Sequence, residues 1–151
     1  MSDIPNWHTY FLDLTDAIAR RSKDPNTQVG AIIVGPAHEI RSTGYNSFPR
    51  HIRDDIPERL VRPEKYRWIE HAERNAIYNA ARCGTPTEGC TLYCQIMPCM
   101  DCARAVVQTG IRNVIVSFTK HEAYKDTPRW KEEFERVAVL FEEAEIFLLK
   151  V

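Results

Sequence analysis

The chain has almost no net charge: twenty lysines and arginines face twenty-one aspartates and glutamates, a formal balance of −1. A protein that grips long nucleic acid by its phosphates is more often basic, so no polymeric nucleic-acid partner is expected. A small anion needs only a local basic pocket, which the overall sum does not report. Also missing is any apolar run near eighteen residues, so no membrane-spanning helix and no membrane partner are expected. The first residues, Met1-Ser2-Asp3-Ile4-Pro5, lack the basic-then-apolar pattern of a secretory leader, which predicts a reducing, cytoplasmic compartment. In that compartment the five cysteines, Cys83, Cys90, Cys94, Cys99 and Cys102, are expected as thiols or metal ligands, not disulfides. Neither a repeat nor a low-complexity segment interrupts the chain. What is present is ordinary for a globular protein, 44% hydrophobic and 27% charged, and 151 residues predict one domain over 1–151 with a core that needs no staples.

Residues 6–21 read as an amphipathic helix, because Trp7, Tyr10, Phe11, Leu14 and Ile18 fall on one stripe. Val29 to Val34 reads as a strand ended by Gly35-Pro36, with Glu39 to Tyr45 as its antiparallel partner. Residues 46–66 carry three prolines and a mixture of basic and acidic side chains. They read as a long irregular connection, a form that is often functional in a compact domain. Helices are predicted over 71–82, from Cys99 to about Thr109, and after Pro128 through Phe141. Short strands are predicted at Thr91–Cys94, Asn113–Ser117 and Ile146–Leu149. An initial hairpin followed by alternating helices and strands predicts an α/β fold, a three-layer α/β/α sandwich with a mixed five-stranded sheet.

The chemistry concentrates in His71-Ala72-Glu73 and in Pro98-Cys99-Met100-Asp101-Cys102. A catalytic zinc site takes three protein ligands and keeps one position open for water. His71, Cys99 and Cys102 supply three nitrogen and sulfur donors, and Glu73 is left to move protons. Cys99 and Cys102 are one helical turn apart, so both can reach one ion. A helix N-terminus, where Pro98 fits, favours the thiolate. Zinc lowers the pKa of a bound water from about 15.7 towards about 7. Two other readings use fewer of these residues. A structural Cys₄ site with Cys90 and Cys94 leaves His71 and Glu73 idle. A thioredoxin-like redox pair is disfavoured because Pro98 precedes the two cysteines instead of lying between them.

The combined His-x-Glu and Pro-Cys-x-x-Cys pattern is the signature of zinc deaminases of nucleobases. The blocks Arg21 to Ala31, Gly44-Tyr45-Asn46 and His71 to Ile77 closely resemble the deoxycytidylate (dCMP) deaminase family, across residues of about 7 to 117. The resemblance implies hydrolytic deamination of dCMP to dUMP for thymidylate synthesis. It places one Zn²⁺ on His71, Cys99 and Cys102, Glu73 as the proton shuttle and Asn46 at the nucleotide. It also implies a homohexamer activated by dCTP and inhibited by dTTP. Two positions depart from the family pattern: Ser47 and His51 stand where glycines are usual in the effector region, and so bear on regulation and not on catalysis. Lys23, Arg50 and the basic side chains of the 46–66 connection, Arg62 and Lys65 among them, are candidates for the phosphate, His121 and Tyr124 for a loop closing over substrate, and Asn75 for the nucleotide or a neighbouring subunit. A broader dCMP/dCTP deaminase and a zinc or nucleotide-binding protein without turnover remain alternatives. So do sister deaminases acting on tRNA adenosine, guanine or a riboflavin precursor. The absent basic excess speaks against tRNA, and Ser22-Lys23-Asp24-Pro25 speaks against all three.

Overall fold

A computed structural model describes residues 3–151. Five strands form one mixed sheet in the order β2-β1-β3-β4-β5. β1 (Gly30–Val34) lies antiparallel to both β2 (Ile40–Tyr45) and β3 (Thr91–Cys94). β4 (Asn113–Val116) and β5 (Phe147–Lys150) continue parallel to β3. The expected mixed α/β sheet is therefore present, with strand limits one residue away from those read in the sequence at several ends.

The two faces of the sheet are covered unequally. On one face lies α1 (Trp7–Ala19), whose Phe11 is fully buried against Ile32, Val34, Tyr93 and Ile115. The expected stripe is only partly covered: Trp7 and Tyr10 stay largely exposed, and Trp7 stacks on His38 instead of entering the core. The other face carries α3 (Ala72–Cys83), α4 (Met100–Gln108) and α6 (Pro128–Glu143), which share one core with Ala31, Ile33, Leu92, Val114 and Val116. Alternation along β1 produces this division, since successive side chains point to opposite faces.

Two glycines set how closely helices approach the sheet. A Cβ on Gly30 would stand 2.1 Å from the Thr15 carbonyl of α1, and one on Gly44 would stand 2.3 Å from both the Ala72 oxygen and the Ala76 nitrogen of α3. Polar bonds then stitch α3 to β2. Ser42 donates to the Ala76 carbonyl (2.7 Å), Asn79 to the Thr43 carbonyl (2.7 Å) and Asn75 to the Tyr45 carbonyl (2.8 Å).

Two segments are more regular than the sequence suggests. Within 46–66, Pro57–Leu60 forms a 3₁₀ turn, and a short helix α2 spans Lys65–Trp68. After β4, where a loop is expected, Phe118–Glu122 forms the short helix α5. Both α2 and α5 are too brief to show an apolar period.

Candidate active site

The two motif segments meet at adjacent helix starts. His71 is the N-cap of α3 and Cys99 the N-cap of α4, both in extended backbone and neither side chain bonded to its own helix. Their side chains are thus free to point away from the helix. Cys102 follows in the first turn of α4, buried beneath it. The ligand atoms of His71, Cys99 and Cys102 lie within 4.8 Å of one another, and among the described residues no other group of three metal-ligating side chains converges in this way. His71 Nδ1 is 3.4 Å from the Cys99 sulfur and 3.5 Å from the Cys102 sulfur. A tetrahedral zinc with arms of about 2.1 Å to nitrogen and 2.3 Å to sulfur spans about 3.6 Å between such donors, so the three side chains fit that ion. Their donor types suit it too: two thiolates and an imidazole.

Electrostatics distinguish the groups. Hydrogen bonds from Cys102 and His71 hold the Cys99 thiol down to about 4. The Cys102 thiol is pushed up by its hydrogen bond to Cys99 and by burial. Two thiols this close cannot both ionise without a cation between them, and a divalent ion supplies that charge. Glu73, one residue inside α3, is only 5% exposed, and its carboxylate lies 3.8 Å from the Cys102 sulfur. Burial raises its pKa, with the His71 imidazole pulling the other way. A carboxyl whose pKa burial raises is better suited to accept and return a proton than a freely solvated one.

Outer contacts hold the two helix starts together. Arg74 pairs with Glu70 (2.9 Å) within one segment and reaches Asp101 of α4 (3.4 Å). Glu133, from α6, accepts a hydrogen bond from the Met100 amide (2.9 Å), the first residue of α4. Sequence reasoning singled out neither residue. The i,i+4 spacing of Glu70 and Arg74 was a usable signal for the first, whereas the Glu133 contact depends on the fold.

A match to the family model described as "Cytidine and deoxycytidylate deaminase zinc-binding region" covers residues 5–118. The chain belongs to that family. The human deoxycytidylate deaminase is 40% identical over 124 residues, covering 79% of this chain and 68% of that one. A Bacillus subtilis relative, ComE operon protein 2, is 33% identical over 148 residues, covering 93% and 72% respectively. The dCMP deaminase from the cyanophage S-TIM5, solved in complex with dCMP and dUMP, superposes with a TM-score of 0.76 at 20% identity. That alignment covers 99% of this chain and 100% of the phage chain, and it bears on the fold.

Within this family fold, the cleft beside the three ligands is lined by His71, Glu73, Cys99, Asn46 and Tyr124, but not by Lys23, Arg50, Asn75 or His121. Asn46 is 7% exposed, and its side chain accepts from the Val29 amide (2.8 Å) and donates to the Thr27 carbonyl (2.8 Å). Lys23, Arg50 and Asn75 line a second cleft on the far side of Asn46. There Lys23 pairs with Asp54 (2.7 Å), Arg50 bonds Asn79, and Asn75 holds Tyr45 and Ser47. His51 borders the same cleft with φ +68°, a left-handed conformation that favours glycine. His121 lies inside α5, buried against Phe134 and outside both clefts. The active cleft also holds Arg62 and Lys65, from the basic connection that the sequence offers for the phosphate, and Tyr66, Arg129 and Trp130, which the sequence does not single out for a nucleotide role.

Proposed function

We propose that this protein hydrolytically deaminates dCMP to dUMP, within one domain spanning 1–151, and so supplies dUMP for thymidylate synthesis. The observation that carries the reading is the convergence of His71, Cys99 and Cys102 beside a buried Glu73, in a chain 40% identical to a relative named deoxycytidylate deaminase. His71, Cys99 and Cys102 hold the zinc ion. When bound, that ion supplies Lewis acidity that brings a water into the nucleophilic range near neutral pH. Glu73 takes a proton from the attacking water and places it on the ring nitrogen next to the amino-bearing carbon. It then takes the remaining proton from the newly added hydroxyl and passes it to the departing amine, so that the C–N bond breaks, ammonia leaves and the hydroxyl becomes the carbonyl. The raised pKa of Glu73 serves both halves of this transfer, because a strongly acidic carboxyl would accept the first proton poorly. Arg74, bridging Glu70 and Asp101, keeps the α3 and α4 starts in register so that Glu73 stays beside the sulfurs. Asn46 and Tyr124 both line the cleft in which the nucleotide lies.

The finer reading includes a cytoplasmic homohexamer that responds to dCTP and dTTP. Support comes from the family resemblance and from the second cleft, which gathers Ser47, His51, Lys23 and Arg50. The test is a substrate panel. Zinc-loaded protein is offered dCMP, dCTP, deoxycytidine and CMP separately, with products resolved by chromatography. Rapid dCMP turnover and slow deoxycytidine turnover are expected; turnover confined to the nucleoside overturns the reading. The same assay with dCTP or dTTP added tests regulation, and light scattering on the eluting protein tests the hexamer.

A further inference from the structure

Three cationic side chains line the cleft that holds Glu73: Arg62, Lys65 and Arg129. They differ in how their charge is used. Lys65 is buried, and its Nζ lies 2.8 and 3.0 Å from the two oxygens of Asp24, itself buried, so its charge is already neutralised. Arg62 and Arg129 have no ion-pair partner among the described residues.

The placement of Arg129 runs against a local preference. It is the second residue of α6, whose first turn contains no acidic side chain. The start of a helix is its positive end, where an anion gains and a cation loses. Natural chains that break such a rule tend to do so where function compensates. The guanidinium is also held in orientation: its carbon lies 4.0 Å from the centre of the Tyr66 ring and 4.7 Å from that of Trp130. A stacked guanidinium uses its face, which leaves the N–H edge free to donate in its own plane. An anion in the cleft would meet that fork and the helix start together.

We propose that Arg129, assisted by Arg62, receives the 5′-phosphate of the nucleotide whose base reaches Glu73, and so sets the preference for a monophosphate over the free nucleoside. The proposal rests on the deamination reading above. It takes the phosphate away from Lys23, which pairs with Asp54, and from Arg50, which bonds Asn79, since both face the other cleft.

Calorimetric titration of the zinc-loaded protein with dUMP and with deoxyuridine reads the phosphate's contribution without turnover. The ratio of kcat/KM for dCMP to that for deoxycytidine reads it during turnover. In Arg129→Gln, dUMP affinity and the kcat/KM ratio should each fall roughly 10- to 100-fold, the scale of losing a charge-assisted, forked contact. Deoxyuridine binding and deoxycytidine turnover should stay near wild type, which also shows that the variant is folded. Arg62→Gln should move the same quantities in the same direction by less, and Arg129→Lys should recover only part of the loss, because a point charge replaces a fork. Wild-type preference for dUMP that survives both glutamine substitutions overturns the arginine assignment and leaves the deamination reading standing. So does equal loss for dUMP and deoxyuridine, or a phosphate-specific loss in Lys23→Gln or Arg50→Gln instead. A wild type that processes only deoxycytidine, with dUMP bound no more tightly than deoxyuridine, overturns the monophosphate reading and this proposal with it.

Discussion

At the scale of single residues, Glu73 and the buried Asp24–Lys65 pair make the sharpest expectations. Glu73→Gln keeps the size and the neighbours of the side chain but cannot take a proton. Its zinc content should match wild type by metal analysis, while kcat falls by about 10²- to 10⁴-fold, the usual worth of general acid–base catalysis. Lys65→Met leaves the Asp24 carboxylate buried without its partner, and unpaired buried charges of this kind cost about 3–5 kcal/mol, measurable by urea denaturation at pH 7. The pH dependence follows from Asp24. Burial alone would raise its pKa, but the Lys65 ammonium and the amides of Asn26 and Thr27 outweigh burial and hold it below its ordinary value of 3.8. The folded state then binds fewer protons than the unfolded chain. The pair's contribution is full above that ordinary value and disappears as pH falls through the lower folded value. The stability gap between wild type and Lys65→Met should accordingly narrow in acid, below pH 3.8. The convergence of His71, Cys99 and Cys102 beside Glu73 was legible in the sequence because metal geometry restricts spacing: two cysteines one turn apart and a glutamate two places after a histidine admit few other uses. Arg62 was legible only as one of several cations in the basic connection, and Arg129 not at all, since only the fold brings the two to one cleft. His121 illustrates the reverse error of emphasis: an imidazole shortly after a strand suggests a substrate loop, yet its ring is packed under Phe134.

At the scale of elements, the decisive contact is that of α3 on β2. The helix carries His71 at its cap and Glu73 in its first turn, so its height above the sheet sets where both point. Gly44→Ala places a methyl 2.3 Å from backbone atoms of Ala72 and Ala76, which cannot rotate away. The helix must lift. A cost of about 1–3 kcal/mol is expected from such overpacking, read as a lower midpoint in thermal unfolding. Because the lift moves Glu73 relative to Cys99 and Cys102, kcat/KM should fall as well, a loss that a purely structural position elsewhere in the sheet would not produce. The long helices and most strands could be read from their apolar periods. The short α2 and α5 could not, since four or five residues carry no period and their ends are decided by neighbouring packing. The Gly44 contact was equally hidden: in the sequence it is one glycine before a tyrosine, and its significance lies in a helix that begins nearly thirty residues later.

At the scale of the whole molecule, the metal is a guest in a fold that stands on other supports. Two apolar clusters, one on each face of the sheet, are built mostly from residues that touch no ligand position. Removal of zinc with a chelator should therefore abolish deamination but leave the far-ultraviolet circular dichroism unchanged at 25 °C. The thermal midpoint should drop by the amount that mass action removes and return when zinc is restored. Small zinc domains, in contrast, unfold outright without metal. The architecture class was readable from the order of helices and strands, but the strand order was not. The sequence shows β1 and β2 as neighbours, whereas the structure also places β1 against β3, with Ala31 opposite Cys94.

That long-range pairing has a consequence for how the protein is made. While a ribosome has delivered only α1 and the β1–β2 hairpin, β1 still lacks one neighbour and no binding site exists. His71 and Glu73 emerge next, on a helix that has only the hairpin to lie on. The sulfurs arrive later, and until β3 slots in beside β1 they form a loose two-cysteine chelate separated from the imidazole. A chain that emerges in this order should therefore bind zinc selectively only after β3 has paired with β1.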